Sequence, residues 1–249
     1  MNKEKQKYIF GIRTIIEAVK SGKTIDKLFI QKGLHNDLFT ELWKLVRRKR
    51  INYKHVPLEK INRLTKKNHQ GVFAFISPID FYNIEDVTPT LYEEGKNPLI
   101  LVLDRITDVR NFGAIARTAE CAGVNAILIP EQNAAAINAD AMKTSAGALH
   151  KITLCRTWNL KLALQFLKDS GIQLVACTEK TEETMYKADY TSPTAIIMGS
   201  EEDGVSQEFL KMSDIKVNIP MKGEIASLNV SVAAGIIIYE AIRQRVSQI

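Results

Sequence analysis

Cysteine is scarce in this sequence: Cys121, Cys155 and Cys177 are far apart and include no C-x-x-C pair. An odd, scattered set supports neither a disulfide framework nor a thiolate zinc site, so three reduced, buried thiols are expected. Histidine is equally sparse. His35, His55, His69 and His150 show no H-x-x-x-H or H-E-x-x-H spacing, and no metal ligands are assigned. The longest apolar run, within VSVAAGIII from Val230 to Ile238, is interrupted by Ser231 and falls far short of the roughly 20 residues of a membrane-spanning helix. No apolar stretch with a small-residue cleavage site follows the basic start MNKEKQKYIFGI. Neither export nor membrane insertion is therefore expected, and the expected compartment is cytoplasmic. A glycine-rich phosphate loop of the G-x-G-x-x-G or G-K-[ST] type is also missing, which argues against a nucleotide-dependent α/β enzyme.

What is present is ordinary in bulk: 249 residues, 45% apolar and 25% charged, enough for a packed fold of two domains. The charge is unevenly placed. Residues 1–80 hold 18 Lys+Arg against 7 Asp+Glu, net +11, and the remainder holds 16 against 21, net −5, giving the overall +6. Arg47, Arg48, Lys49 and Arg50 run together, with Lys54, Lys60, Arg63, Lys66 and Lys67 close behind. A basic module binds polyanions partly by releasing their condensed counterions. A solvated surface would account for a single cluster equally well.

Periodicity gives the first third a mixed α/β reading: a strand at 27–31, an amphipathic helix at 37–50, a strand near 52–56, a short helix after Pro57 and a strand at 71–76. Residues 77–98 contain three prolines and an acidic cluster without sustained period. A basic N-terminal domain is thus placed at 1–78, a linker at 79–97 and a second domain at 98–249. In the latter, LILVLD (99–104), AILIP (126–130), QLVACT (173–178) and AIIMG (195–199) are unalternated apolar strands separated by helical stretches. That pattern belongs to a parallel sheet covered on both faces, whose ligands bind beyond the carboxyl ends of the strands.

Three segments follow such ends. RITDVRNFGAIARTAECAG (105–123) places Asn111 and Gly113 where a helix should begin, with Arg117 on its second turn; alone it is explained by a capped βα turn. SEEDGVS (200–206) sets Glu201, Glu202 and Asp203 between Gly199 and Gly204, repelling a triphosphate and equally readable as a solvated turn. IPMKGEIASLNVSVAAGIIIYEAIRQR (219–245) joins a short strand to a long apolar helix, with Ser227, Asn229 and Ser231 at its start, more polar groups than capping needs.

Together, and in this order, N-F-G-x-x-x-R-T, M-G-S-E-x-x-G and I-P-M-x-G-x-x-x-S-L-N-V-S-V resemble the three signature blocks of the SpoU-type RNA methyltransferases of the SPOUT superfamily. The likeness covers 98–249. The shorter matches G-I-R at 11–13 and N-H-Q-G-V at 68–72 are similar to the RNA substrate-binding domain of bacterial 23S rRNA guanosine 2′-O-methyltransferases. The resemblance implies an α/β fold of two parts: a small N-terminal α/β RNA-binding domain and a parallel-sheet catalytic domain with a C-terminal trefoil knot. It implies S-adenosyl-L-methionine as cofactor, RNA (23S rRNA favoured) as substrate, a homodimer, and no DNA or membrane partner.

Carried over by position, Gly199, Ile219, Met221, Leu228 and Asn229 would bind the cofactor. Asn111, Arg117, Glu201, Ser227 and Asn229 would serve catalysis, and Arg47, Arg48, Arg50, Lys66, Lys67 and Arg243 would contact RNA. The reaction implied is an in-line displacement at a sulfonium methyl, with help in removing the proton from a ribose 2′-hydroxyl. Family likeness points to Arg117 for that help, although a guanidinium is a poor base. Asn111 would orient the ribose or Arg117, and Glu201 would act as a hydrogen-bond acceptor. Two alternatives stand beside this reading: a tRNA 2′-O-methyltransferase, and a non-catalytic RNA-binding or ribosome-assembly protein that keeps the fold.

Overall fold

The computed structural model describes residues 7–49, 51–225 and 227–246. Arg50, one of the expected RNA contacts, lies outside them. The chain divides into two compact units, Met1–Asp80 and Phe81–Ile249.

In chain order the first unit contains β1 (Tyr8–Phe10), α1 (Ile12–Lys20), β2 (Ile25–Gln31), α2 (Asp37–Arg48), β3 (Tyr53–Val56), α3 (Leu58–Leu64) and β4 (Val72–Ile76). The strands form a mixed sheet ordered β1-β4-β2-β3, with β3 parallel to β2 at one edge. Alternation along β2 divides the core. Leu28 and Ile30 pack with Leu42, Leu45 and Val46 of α2 on one face, and Phe29 packs with Val56, Ile61 and Phe73 on the other. A period-2 strand can bury both faces only when helices cover both. The two short motifs at 11–13 and 68–72 meet here: Gln70 Oε1 accepts from the Ile12 N–H at 3.1 Å, at the first turn of α1. Gln70 holds a left-handed φ of 51° to do so.

The second unit begins with α4 (Ile84–Glu93), where the sequence suggested a linker. Its Ile84 is buried in the main core, and the preceding Tyr82 exchanges backbone hydrogen bonds with the Leu154 carbonyl and the Arg156 N–H. Pro89 inside the helix masks its periodicity in the sequence. Then follow β5 (Leu99–Leu103), α5 (Val109–Cys121), β6 (Ala126–Pro130), α6 (Ala139–Thr144), β7 (Thr153–Thr157), α7 (Leu160–Asp169), β8 (Gln173–Cys177), β9 (Thr194–Met198), α8 (Gln207–Met212), β10 (Ile215–Val217) and α9 (Val230–Val246).

The six strands are all parallel, in the order β10-β8-β9-β5-β6-β7. Every residue of β5 and β9 is buried, as unalternated apolar strands require. From β5 the chain moves outward through β6 and β7, then returns on the other side, so the direction of winding reverses between β5 and β9. Crevices form at such switch points beyond the carboxyl ends of the strands. Among the described residues no helix is long and apolar enough to cross a membrane.

The long apolar helix α9 hides one carboxylate, Glu240, which accepts from Arg243 Nε at 2.8 Å and Nη2 at 2.9 Å, and from Gln244 at 2.8 Å. The bond from Arg243 first, against the cost of burial, holds its pKa below the usual glutamate value. Arg243, offered above as a phosphate contact, thus has an intramolecular partner. A carboxylate with a lowered folded-state pKa stabilises the fold above its unfolded pKa, and that contribution disappears as pH falls through the folded value. We expect Glu240→Gln to cost roughly 1 kcal/mol at neutral pH, solvent screening of exposed Arg243 limiting the loss. Urea midpoints of parent and variant should converge as pH falls through the lowered folded-state value of Glu240.

Candidate active site

At the switch point three loops converge, one after β5, one after β9 and one before α9. The sequence suggested that α5 begins at Asn111 or Gly113. It begins earlier, at Val109, because Asp108 caps it, accepting from the N–H groups of Arg110 at 2.9 Å and Asn111 at 2.8 Å. Asn111 is thereby relieved of capping and its amide is available to the site. Gly113 has another reason: a Cβ there would lie 2.8 Å from Thr144 Cβ and 2.9 Å from the Ala141 carbonyl, so glycine allows α5 to press against α6.

The three loops are tied by side chains. Asn111 Nδ2 donates to Glu201 Oε1 at 2.8 Å. Asn229 Nδ2 donates to the same oxygen at 3.0 Å and to Asn111 Oδ1 at 3.0 Å. Asn229 also starts α9: its Oδ1 accepts from the N–H groups of Ser231 at 3.0 Å and Val232 at 3.4 Å, and from Ser231 Oγ at 2.5 Å. One residue is both helix cap and site ligand, and Ser231 serves Asn229. These bonds orient Glu201 with one oxygen doubly engaged.

Sequence reasoning missed the buttress beneath. Asp104, buried at the end of β5, accepts from Ser206 N at 2.8 Å and Ser206 Oγ at 2.5 Å. Arg105 reaches Asp104 at 3.2 Å, Asp203 at 2.8 Å and the Gly204 carbonyl at 3.1 Å. Burial alone would lower the Arg105 pKa, but its bonds to Asp104 and Asp203 outweigh that and raise it. Arg105 takes a left-handed φ of 60°, a backbone state that non-glycine residues seldom occupy. The carboxylate-rich turn is thus anchored at Asp203. Gly199 permits its closure: a Cβ there would sit 1.9 Å from the Gly204 carbonyl carbon.

A cleft of about 280 Å³ has walls that include Gly199, Ile219, Met221, Ser227 and Leu228, but not Asn229, which was expected to bind the cofactor. A second cleft of about 280 Å³ is lined by Arg105, Asp108, Asn111 and Asp203; Glu201, Glu202, Ser200 and Val230 border both. Asn218, unremarked in the sequence, lines the first cleft with its buried Oδ1 lacking a hydrogen-bond partner among the described residues. Burial, then the Glu179 carboxylate, pushes the Cys177 thiol in that wall up to about 12, so it stays protonated. Cys155 is buried, but Cys121 is exposed, contrary to expectation, because it falls at the outward-facing end of α5.

Arg117 is exposed on the third turn of α5, not the second, and lines neither cleft. Among the described residues it makes no hydrogen bond or ion pair. The expected RNA contacts also separate: Arg47 and Arg48 end α2 on one face of the N-terminal sheet, whereas Lys66 and Lys67 follow α3, which covers the opposite face.

A sequence profile described as the SpoU rRNA Methylase family matches residues 98–239. The chain belongs to this family. A second profile, described as RNA 2′-O ribose methyltransferase substrate binding, matches residues 8–82. Membership makes the chain an S-adenosylmethionine-dependent RNA 2′-O-ribose methyltransferase. It is 34% identical to the 23S rRNA (guanosine-2′-O-)-methyltransferase RlmB of Photobacterium profundum, over 95% of this chain and 97% of that protein. It is 36% identical to a protein of Staphylococcus saprophyticus described as a TrmH family tRNA/rRNA methyltransferase, over 95% of each. Among solved structures it is similar to the SpoU methyltransferase AviRb from Streptomyces viridochromogenes in complex with AdoMet. That match has a TM-score of 0.61 at 26% identity and covers 96% of this chain and 90% of AviRb.

The double duty of Asn229 is separable. Asn229→Ser keeps a good helix cap but removes both donations to the triangle. It should unfold within a few tenths of a kcal/mol of the parent while losing most methyl transfer. Asn229→Ala should lose the same activity and roughly 1 kcal/mol of stability as well. Urea unfolding and labelled-methyl transfer check both, and a fully active Asn229→Ser would remove the triangle from catalysis.

Proposed function

We propose that this chain methylates the ribose 2′-hydroxyl of a guanosine in 23S rRNA, as a homodimer in which Arg117 acts at the clefts of the other subunit. The carrying observation is that Glu201, bonded to Asn111 and Asn229, borders two adjoining clefts. That is where a methyl donor and a ribose must meet.

The residues of the first cleft fit S-adenosylmethionine. Gly199, Ile219, Met221 and Leu228 offer backbone groups and apolar contact, while the unsatisfied Asn218 Oδ1 is a ready acceptor for an N–H of adenine or of the methionine part. The cofactor supplies an electrophilic methyl on a sulfonium centre. The second cleft would take the target nucleotide, and Glu201 Oε2, which has no partner among the described residues, faces the work of orienting the ribose hydroxyl. Ser227 adds a hydroxyl at the wall. Arg117, a fixed positive charge, stabilises the negative charge that develops on the 2′-oxygen as its proton leaves.

Arg117 is not among its own chain's cleft walls, and α9 suggests a route by which it would act from a neighbour. Val232, Tyr239 and Val246 are each more than half exposed and recur every seven residues along α9. An apolar stripe of that spacing suits a second helix. α5 packs beside it: a Cβ at Gly235 of α9 would touch Thr118 Cγ2 at 3.7 Å, one residue after Arg117.

The preference for 23S rRNA over tRNA rests on the relatives named RlmB, the first matching this chain across both units. The structure described as the A. aeolicus TrmH/SpoU tRNA modifying enzyme covers only 66% of it. The N-terminal unit would hold the RNA. A C-terminal trefoil knot accords with α9 returning from the edge strand β10 to pack against α5 and β9.

Methyl transfer from labelled S-adenosylmethionine to unmodified 23S rRNA, 16S rRNA and tRNA should label 2′-O-methylguanosine in the 23S pool alone; a labelled tRNA pool would favour the second reading. Arg117→Ala should abolish turnover and leave cofactor affinity nearly intact. Co-expressing Arg117→Ala with Glu201→Ala should restore activity at about one quarter of the sites, those assembled from one intact residue of each subunit under random pairing. No restoration would place Arg117 in its own subunit's site.

A further inference from the structure

Outside the catalytic unit, the N-terminal unit has a groove of its own, about 630 Å³, between α2 with its preceding loop and the edge strand β3. That is within the usual range of ligand pockets, roughly 300–1,000 Å³. Its walls include His35, Asp37, Phe39, Trp43 and His55. Phe39, Trp43 and Arg47 recur every fourth residue on α2, so they form one stripe. The Phe39 and Trp43 rings stack at 6.0 Å, and the Arg47 guanidinium lies 5.9 Å over the Trp43 ring. Across from them, Tyr53 and His55 occupy alternate positions of β3 and share its α2 face. Tyr53 meets the Trp43 ring edge-on at 5.0 Å, and His55 lies 6.0 Å from Trp43 and 5.5 Å from Tyr53.

Such a cluster is unusual for a surface. Tyr53 is 38% exposed, and His35 and His55 are exposed, although a core lies beneath them in the same unit. Phe39 and Trp43 are partly buried against that core, whereas Tyr53, His35 and His55 lie outside it. Around them the charge is positive: Lys32 follows β2, next to Gly33 of the groove wall, and Lys44, Arg47 and Arg48 are exposed on α2. Asp37 at the groove's end repels a phosphate from the interior and leaves that space to a group without charge. Flat rings inside a basic rim, with a carboxylate excluding phosphate from the centre, match an unstacked nucleobase whose phosphates lie outside.

We propose that this α2–β3 groove holds an unpaired nucleobase of the RNA substrate against the Trp43–Tyr53–His55 ring cluster, with the adjoining phosphates on Arg47 and its neighbours. The proposal rests on the RNA-methyltransferase reading and adds to it. It assigns the substrate contact to the α2 face rather than to the α3 side that carries Lys66 and Lys67, and it requires a single-stranded element in the RNA. Base stacking tolerates any sequence, so the groove would contribute affinity and leave base identity to the catalytic clefts.

The test uses the full chain with Trp158→Phe, which leaves Trp43 as the only indole of the two in the sequence. Titration with a twelve-nucleotide oligoadenylate should quench Trp43 fluorescence, and a duplex of the same length should do so far less. Tyr53→Ala and His55→Ala should each weaken single-strand binding about 5- to 50-fold, and Tyr53→Phe should bind like the parent, which separates lost stacking from lost folding. For rRNA methylation, the alanine variants should raise KM and leave kcat and S-adenosylmethionine affinity unchanged. An unresponsive Trp43, an equal response to duplex, or alanine variants that bind as tightly as the parent would each overturn the groove assignment, the first two leaving it to another partner such as a protein. Quenching by single strands without methyl transfer to any RNA would instead leave the groove standing and defeat the reading of the catalytic unit.

Discussion

Glu201 Oε1 receives two amide donors, from Asn111 and Asn229, and those bonds join segments that are 90 and 28 residues apart in the chain. A short polar turn after a buried strand has no apolar face to fix it. Its conformation must come from hydrogen bonds, and here one carboxylate oxygen draws the other two loops to it. The rest of the site depends on that triangle, because its Glu201 borders both clefts. Remove both amides and Glu201 becomes one of three neighbouring carboxylates on an exposed turn, without a hydrogen bond to direct it.

Several features far from the triangle make it possible. Asp108 takes the cap of α5, which frees Asn111. Gly113 lets α5 lie close to α6, and Gly199 lets the turn after β9 fold back onto Gly204 and Val205. Asp104 and Arg105 then fasten that turn from below, through Ser206, Asp203 and the Gly204 carbonyl. Arg105 adopts a strained backbone state to reach all three of its partners. Local strain held in place by several bonds is common where function demands a particular geometry. Here the strain supports a turn whose own residues are mostly charged.

Much of this was legible in the sequence, for physical reasons that also explain what was not. β5, β6, β8 and β9 are buried on both faces, so their composition is continuously apolar and their positions are plain. β7 is an edge strand with the mixed sequence TLCRT, and α4 carries Pro89, so neither has a clean period. The identity of Asn111, Glu201 and Asn229 as a group came from family resemblance; their bonding did not, because hydrogen bonds between residues up to 118 positions apart leave no local pattern. Asp104 and Arg105 were overlooked for the same reason: an acid–base pair at the end of a strand reads as ordinary loop chemistry. The Trp43–Tyr53–His55 cluster was invisible because it joins a helix stripe to a strand face, each unremarkable alone. Arg117 was found by motif, but only the structure removes it from the walls of its own chain's clefts.

The charge division has a consequence for how RNA is bound. The second unit is net negative and places Glu201 and Glu202 at both clefts and Asp203 at the second, so an approaching phosphate backbone is repelled there. Carboxylates suit a site that orients a hydroxyl beside a sulfonium cation, and they are poorly suited to holding a polyanion. Attraction must come from elsewhere, and the first unit, at net +11 over 80 residues, is the part of the chain able to supply it. Separating the two tasks allows each to be met without compromise. Because the attractive part is electrostatic, affinity for RNA must fall steeply with salt. The pattern of basic and acidic residues in the sequence is therefore a division of labour between holding the substrate and transforming it.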